Sequence, residues 1–316
     1  MRPPHWAQIA EVTSVTGIKL LFGVYRMVGR WPLRVLLYPT MLYYVLRHPR
    51  ASASSRQYLT RLFRLTHPEG RSVSVWLSVR HFASFAEGIL DRLRIWAGSV
   101  RADEFVIHGH DAIDVKLAAG TGGVIVVAHL GNADMCRALT IGRPGLAMTV
   151  IVHTKHAESF NALLAEINPA STFNLLQVSD LNAETAIRLQ ERVERGEFIV
   201  IAGDRIPVSA KPRVVAASFL GDEAEFPVGP YVLASLLKCP TFLLFCVSER
   251  GLHHVYFELF RERTELPRST RDGALKQLAT DYAARLTHHC QRAPLQWFNF
   301  YDFWAMSHTS STDVAS

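Results

Sequence analysis

A histidine and an aspartate stand five residues apart in the run His129-Leu130-Gly131-Asn132-Ala133-Asp134. The preceding residues, Gly123 to Ala128, are apolar and mostly β-branched, which is typical of a buried strand. The turn residues after the histidine suit the start of a helix over 132–140. That arrangement puts the Asp134 carboxylate within reach of the imidazole, where it fixes the tautomer and leaves Nε2 to take a proton. The spacing predicts His129 as general base and Asp134 as its orienting group.

No Gly-x-Ser-x-Gly sequence accompanies this pair. A histidine and an aspartate without a serine or cysteine nucleophile fit acyl transfer in which the acceptor substrate itself attacks. The alternative interpretation is a strand-end histidine bonded to a carbonyl. A five-residue spacing alone does not decide between the two.

A second set of polar and turn residues follows two later segments. Asp204 and Arg205 follow a strand over 198–202, and Phe226, Pro227 and Gly229 lie just before or at the start of a helix over 228–238. Ligands of open α/β sheets bind beyond the carboxyl ends of strands, where His129 and Asp204 would both lie. We interpret these five residues as substrate-binding. The alternatives are a structural Asp204–Arg205 ion pair and plain loop packing at Phe226-Pro227.

Short β-rich runs alternate with helical patterns after residue 104, which predicts an α/β fold with a mostly parallel or mixed central sheet flanked by helices. The predicted strands are 105–107, 113–116, 123–128, 147–152, 198–202 and 242–247. The predicted helices are 54–66, 72–95, 132–140, 156–166, 180–195, 228–238 and 268–291. We expect a basic helical region over 1–100, a catalytic domain over 101–306 and a disordered tail over 307–316.

The first hundred residues combine positive charge with apolar and aromatic side chains. They hold thirteen arginines and one lysine against four acidic residues, and the runs 18–22 and 33–46 are apolar. Arg26, Arg30, Pro32, Arg34 and Pro39 lie within or beside these runs and keep both shorter than a spanning helix. We therefore expect a surface-lying or re-entrant helical pair on anionic lipid, with core helices of a soluble protein as the alternative. The first ten residues do not resemble a cleaved signal peptide, which favours a cytoplasmic active domain.

The remaining composition argues against several classes of protein. The four cysteines, Cys136, Cys239, Cys246 and Cys290, lack paired spacing, so a disulfide framework and a zinc knuckle are not expected. Fourteen histidines occur without ordered acidic or cysteine partners, and we predict no metal site. The basic region is apolar rather than a solvated patch, and no nucleic-acid-binding motif is present, so no nucleic-acid partner is expected.

The order of these motifs along the chain resembles that of the lysophospholipid acyltransferase superfamily. The shared order is a strand-end His-x4-Asp, a basic segment, Gly-Asp-Arg, and Phe-Pro-x-Gly before a helix. Within the superfamily the chain is most similar to the branch containing the bacterial lipid A biosynthesis (lauroyl and myristoyl) acyltransferases. The matching features include His81 to Phe85 and the closing segment Gln296 to Trp304.

The resemblance implies a glycerol-3-phosphate acyltransferase-like fold and a membrane-associated enzyme on the cytoplasmic face of the bacterial inner membrane. It implies that His129 is the base for a lipid or glycolipid hydroxyl or amine, oriented by Asp134. The donor would be an acyl carrier protein or CoA thioester, with its phosphopantetheine arm part of the co-substrate and no resident cofactor. Lys155 is a candidate substrate-binding cation for the developing oxyanion. The alternatives are a thioester hydrolase that activates water and a non-catalytic lipid-binding protein.

The chain departs from the lipid A enzymes at two points. They generally have Glu where Asp134 stands, and an arginine near the segment that here contains Lys155. Arginine and lysine hold phosphate differently, so the acceptor need not be a lipid A precursor. These departures favour a divergent subgroup that serves specialised lipid or polyketide pathways.

Overall fold

The computed structural model describes residues 23–25, 27–67, 69–70, 72–96, 99–132, 146–152, 174–177, 183–207 and 212–305. Within these ranges the helices are α1 (Arg30–Arg47), α2 (Pro49–Thr66), α3 (Val75–Trp96), α4 (His110–Ala118), α5 (Ala183–Glu194), α6 (Gly229–Leu237) and α7 (Arg271–Arg292). The strands are β1 (Phe105–His108), β2 (Gly123–Gly131), β3 (Met148–Val152), β4 (Asn174–Gln177), β5 (Phe198–Ala202), β6 (Val214–Phe219), β7 (Asp222–Pro227), β8 (Thr241–Glu249) and β9 (Leu252–Arg261).

One seven-stranded sheet forms the centre of the fold, in the order β1-β9-β8-β2-β5-β3-β4. The five strands from β8 to β4 are parallel, whereas β9 is antiparallel to β8 and β1 runs with β9. Strands β6 and β7 form a separate antiparallel hairpin. The predicted α/β fold with a mostly parallel or mixed central sheet flanked by helices is therefore confirmed.

Both faces of β2 are buried, as its continuous apolar sequence predicts. Val124 and Val126 belong to a core shared with α2, α5, α6, α7 and the hairpin. Ile125 and Val127 face the other side of the sheet, where α1, α3 and α4 pack. Because side chains alternate along a strand, one apolar run supplies both layers of the core.

One predicted strand is wrong, because residues 113–116 belong to helix α4. Gly109 adopts a left-handed backbone with φ of 71°, and a Cβ there would lie 2.1 Å from the carbonyl oxygen of Phe257. The chain turns at this glycine and enters the helix. Ile113 is buried, whereas Val115 is 65% exposed. The alternation of apolar and charged residues that is typical of a strand here belongs to a short helix that contributes Ile113 to the core.

The other predictions have mixed outcomes. The helices at 54–66, 72–95, 180–195, 228–238 and 268–291 and the remaining predicted strands are confirmed to within several residues at their ends. Strands β4, β6, β7 and β9 were not predicted. The predicted helices 132–140 and 156–166, the apolar run 18–22 and the tail 307–316 lie wholly or almost wholly outside the described residues.

Candidate active site

His129 lies in an irregular part of β2. Val127 pairs with Leu244 of β8 and Gly131 pairs with Cys246, so four steps along β2 match two along β8. A Cβ on Gly131, which has φ of 64°, would lie 1.8 Å from the Cys246 carbonyl oxygen, so this bulge requires glycine. Bulges redirect side chains, and the His129 side chain is 33% exposed although the residues before it are buried.

A buried carboxylate from the neighbouring strand holds the histidine. Asp204 follows β5, which pairs in parallel with β2, and its side chain is fully buried. Its Oδ1 lies 2.7 Å from His129 Nδ1, and its Oδ2 accepts the backbone N–H of His129 at 2.8 Å. The prediction that these two strand ends meet at one edge of the sheet is confirmed.

The chain segment after α7 completes this arrangement. Trp297 Nε1 and Asn299 Nδ2 donate to Oδ2 of Asp204 at 3.0 and 3.1 Å. The N–H of Phe298 donates to the carbonyl of His129 at 2.8 Å. Trp297 and Asn299 were not predicted as site residues. Both residues belong to the closing segment, Gln296 to Trp304, which carries part of the family resemblance. No residue spacing in that segment points to His129.

The hydrogen bonds assign the tautomer of His129. A carboxylate oxygen only accepts, so the neutral imidazole carries its proton on Nδ1 and leaves Nε2 unprotonated. Burial and the charge of Arg205 lower the pKa of His129 below its ordinary value, although Asp204 opposes them. Burial would raise the pKa of Asp204, but its contact with His129 holds that pKa below the ordinary value. The pair is therefore neutral imidazole and carboxylate near pH 7.

Two arginines contribute positive charge around this pair. Arg205 donates from Nε to Asn299 Oδ1 at 2.8 Å and from Nη2 to the Phe298 carbonyl at 3.0 Å. Arg92 of α3 points toward Asn132, with a 3.4 Å contact to its Oδ1, and its charge also lowers the pKa of His129. Arg205 thus fixes the segment that holds Asp204, and both cations favour negative charge in the adjacent space.

Another histidine, which is buried, supports the closing segment. His81 of α3 is fully buried, with Nε2 3.0 Å from the Trp297 carbonyl and Nδ1 3.0 Å from Ser55 Oγ. Burial lowers the pKa of His81 to about 4. Nε2 therefore donates to the carbonyl while Nδ1 accepts from the serine. These two bonds fix the backbone of Trp297, whose indole holds Asp204.

The other predicted site residues lie apart from this cluster or outside the described chain. Phe226 is fully buried, and its ring contacts Phe219, Tyr282 and Phe303 in the core. Pro227 ends β7 and Gly229 begins α6. Asp134 and Lys155 are outside the described residues. Their predicted roles in orientation and substrate binding stay predictions.

Comparison with known proteins gives one matching family model and two similar relatives. Residues 75–305, more than half of the chain, match the family model for bacterial lipid A biosynthesis acyltransferases, and this range contains every residue of the His129–Asp204 cluster except Ser55. The phosphatidylinositol mannoside acyltransferases of two Mycobacterium tuberculosis strains, H37Rv and CDC 1551, are each 30% identical to the chain over 129 residues. Each alignment covers 41% of this chain and 40% of the relative.

Proposed function

Because the chain belongs to the bacterial lipid A biosynthesis acyltransferase family, we propose that it transfers a fatty acyl group from a thioester to a hydroxyl of a membrane glycolipid. The observation that carries this proposal is the His129–Asp204 pair, in which a buried carboxylate holds Nδ1 and leaves Nε2 open on a partly exposed side chain. A glycolipid acceptor is also consistent with the names of the mycobacterial relatives.

The chemistry follows from the tautomer. Nε2 of His129 takes the proton of the acceptor hydroxyl as its oxygen attacks the thioester carbonyl, and a C–O bond forms. The resulting imidazolium is stabilised by Asp204 through Nδ1. When the tetrahedral intermediate collapses, the C–S bond breaks and the thiolate takes the proton from Nε2. The protein thus returns to its starting state without a covalent intermediate.

Charge on the tetrahedral oxygen is stabilised by hydrogen-bond donors or positive groups directed at it. Arg92 and Arg205 supply positive charge close to His129 among the described residues, and Lys155 remains our candidate from the sequence. We also retain Asp134 from the sequence, either as a further orienting group or as an acceptor-binding group. Nδ1 of His129 is already bonded to Asp204. We propose that Phe226, Pro227 and Gly229 shape a loop that binds the substrate.

The donor is proposed to be an acyl carrier protein or CoA thioester. Both carry the acyl group on phosphopantetheine, which makes the arm a co-substrate, and no resident cofactor is needed. The basic residues of the N-terminal third suit an acidic carrier protein or an anionic membrane equally.

Helix α1 supports the proposal that the protein works on a membrane surface. Its inner face packs on the protein, with Val45 4% exposed. Its outer face presents large apolar side chains, with Trp31 75%, Tyr43 67% and Leu46 69% exposed. An exposed apolar helix face with Arg34 and Arg47 on the same helix is typical of amphipathic helices that lie in the lipid interface. Among the described helices, none has the length and hydropathy required to span a bilayer.

We therefore propose attachment to the cytoplasmic face of the bacterial inner membrane through residues 1–100, with catalysis in residues 101–306. The triple variant Trp31→Ser, Tyr43→Ser, Leu46→Ser tests this attachment, because all three side chains are exposed and the inner face of α1 is untouched. Co-sedimentation with vesicles containing phosphatidylglycerol should fall at least tenfold. The matched control is Ile187→Ser, another exposed apolar residue on α5. Unchanged sedimentation of the triple variant would refute α1 as the docking helix.

Labelled acyl transfer tests the activity. The full chain is incubated with acyl carrier protein or CoA carrying a labelled acyl group, together with a total bacterial lipid extract. We expect a labelled glycolipid whose formation requires His129. Labelled free fatty acid without labelled lipid would instead establish the thioester hydrolase, and equal product from the His129→Ala variant would favour a non-catalytic lipid-binding protein.

A further inference from the structure

A cavity lies on the β8 side of β2, whereas β5, the strand that precedes Asp204, is the neighbour of β2 on its other side. It has a volume of about 520 Å³ and lies between α1, α3, the β8–β9 turn and the segment after α7. We call it the arginine recess, after four of its lining residues: Arg34, Arg80, Arg250 and Arg292. A cavity of this size fits a single small group rather than the flat face of a protein partner.

The recess holds an excess of positive charge. Arg34 pairs with Glu87 at 2.8 Å, and Arg292 pairs with Glu249 through two contacts of 3.2 Å. Both carboxylates line the same recess. Within the described part of the chain, Arg80 and Arg250 have no carboxylate within 4.0 Å. Two positive charges are therefore left without a counter-charge, and an anion would relieve their repulsion.

The position of Arg250 adds to this argument. The two-residue turn between β8 and β9 consists of Arg250 and Gly251, with φ of 52° and 86°. Such a turn needs left-handed backbone at both residues and is most easily made with Asn or Gly. A non-glycine residue with this backbone carries a local cost in conformational energy, and the residue found there is an arginine that lines the recess.

Helix α3 contributes residues to both the recess and the catalytic cluster. Its residues Arg80, Ser84 and Glu87 line the recess, whereas His81 and Arg92 lie on the neighbouring stripe that faces Trp297 and Asn132. Residues three and four apart share one face of a helix, so one set of residues faces the recess and the other faces the catalytic cluster. The recess is thus a second site on the same edge of the sheet.

A smaller cavity with a partly apolar lining adjoins the recess. It has a volume of about 210 Å³, contains Leu62, Phe63 and Leu77 in its lining, and shares Arg80 and Leu295 with the recess. Tyr38 also lines the recess, and it stacks on the exposed Trp76 with ring centroids 5.9 Å apart. The arginine recess, with these apolar side chains beside it, matches one end of a phospholipid. The phosphate would lie among the arginines, and the adjoining hydrocarbon would contact the apolar side chains.

We propose that the arginine recess binds the phosphate of an anionic phospholipid that is neither acyl donor nor acceptor, and so fixes the protein on the membrane beside its substrate. Arg80 and Arg250 make the principal contacts with the phosphate, and Arg34 and Arg292 support them while keeping their carboxylate partners. The site is independent of the acyl-transfer proposal, because its occupation requires no reaction at His129.

The test uses the full chain and dihexanoyl phosphatidylglycerol below its micelle concentration, titrated by calorimetry. We expect saturable binding of one equivalent, and no comparable binding of dihexanoyl phosphatidylcholine. The double variant Arg80→Gln, Arg250→Gln should bind roughly 30-fold more weakly, since each arginine near an anionic lipid contributes about fivefold. The control Arg195→Gln, Arg268→Gln removes the same charge from exposed sites elsewhere and should bind as the wild type does.

Four results would overturn the proposal. The first is a double variant Arg80→Gln, Arg250→Gln that binds phosphatidylglycerol like the wild type, and the second is an equal loss of binding in both double variants, which would indicate diffuse charge. The third is competition by inorganic phosphate at the same concentration as the lipid, which would indicate a free-phosphate site, and the fourth is a double variant at Arg80 and Arg250 that loses only its binding to acyl carrier protein. The His129→Ala variant should bind the lipid normally, so failure of the acyl-transfer proposal and failure of this one are distinguishable.

Discussion

Asp204→Asn is the most informative perturbation of the site, because it changes one buried oxygen and keeps the size of the side chain. In the wild type, Oδ2 accepts three N–H groups, from the His129 backbone, Trp297 and Asn299, whereas Oδ1 faces only His129 Nδ1. An amide has one oxygen and one NH2 group. The oxygen must take the Oδ2 position, because NH2 there would meet three other donors.

The NH2 group of the asparagine then faces Nδ1 and donates to it. The imidazole responds by moving its proton to Nε2, and the base is no longer available to the acceptor. We expect kcat to fall about 10³-fold, or about 4 kcal/mol in the barrier, which is within the range of general-base catalysis. The three N–H donors that face Oδ2 would bond to a neutral amide oxygen instead of a charged carboxylate oxygen. The free energy of unfolding should therefore fall by about 1–3 kcal/mol, and the protein should stay folded.

The assay measures kcat with saturating thioester and acceptor, alongside thermal unfolding and the ¹⁵N chemical shifts of the imidazole nitrogens. The shifts report the tautomer directly, which a purely structural effect would not change. Asp302→Asn is the matched control, because Asp302 lies on the same closing segment but is exposed and bonded to Gln57. A variant Asp204→Asn that keeps kcat within threefold of the wild type, or keeps the proton on Nδ1, would refute the reasoning.

Three further predictions concern the same site. His129→Ala should reduce transfer by at least 10²–10³-fold, and wild-type turnover by the purified variant would exclude His129 as the base. Arg205→Gln removes a positive charge that lowers the pKa of His129, so that pKa should rise and the acidic limb of the kcat/KM profile should move to higher pH; an unmoved limb contradicts the assigned cause. Gly131→Ala puts a Cβ against the Cys246 carbonyl and should destabilise the protein by about 2 kcal/mol or more in denaturant unfolding, with unchanged stability as the opposing result.

The two strands that carry the active-site pair could be predicted from the sequence, but the bond between His129 and Asp204 could not. The apolar run before His129 and the run before Asp204 each indicate a buried strand with a polar end. Which strands become neighbours depends on crossover connections, and β2 pairs with β5 and β8 rather than with the next strand, β3. Sequence proximity therefore pointed to Asp134, five residues away, while the sheet topology brings in Asp204.

The unpredicted strands have physical reasons of their own. Strand β7, Asp222–Pro227, begins with three residues of which two are acidic, and a period-two pattern there is weak. It is fixed by pairing with β6 and by the burial of Phe226 among aromatic rings. The closing segment has no regular secondary structure over most of its length, so neither propensity nor periodicity reveals that Trp297 and Asn299 bind Asp204. Such positions are defined by tertiary contacts alone.

The central claim is that the His129–Asp204 pair activates a lipid hydroxyl for attack on a thioester. The most direct measurement follows thiol release and labelled lipid formation together, with and without glycolipid acceptor, for the wild type, His129→Ala and Asp204→Asn. We predict that the wild type releases one thiol for each acylated lipid only when acceptor is present, and that both variants lose the two products together. Acceptor-independent thiol release, or lipid acylation that survives in both variants, would contradict the claim.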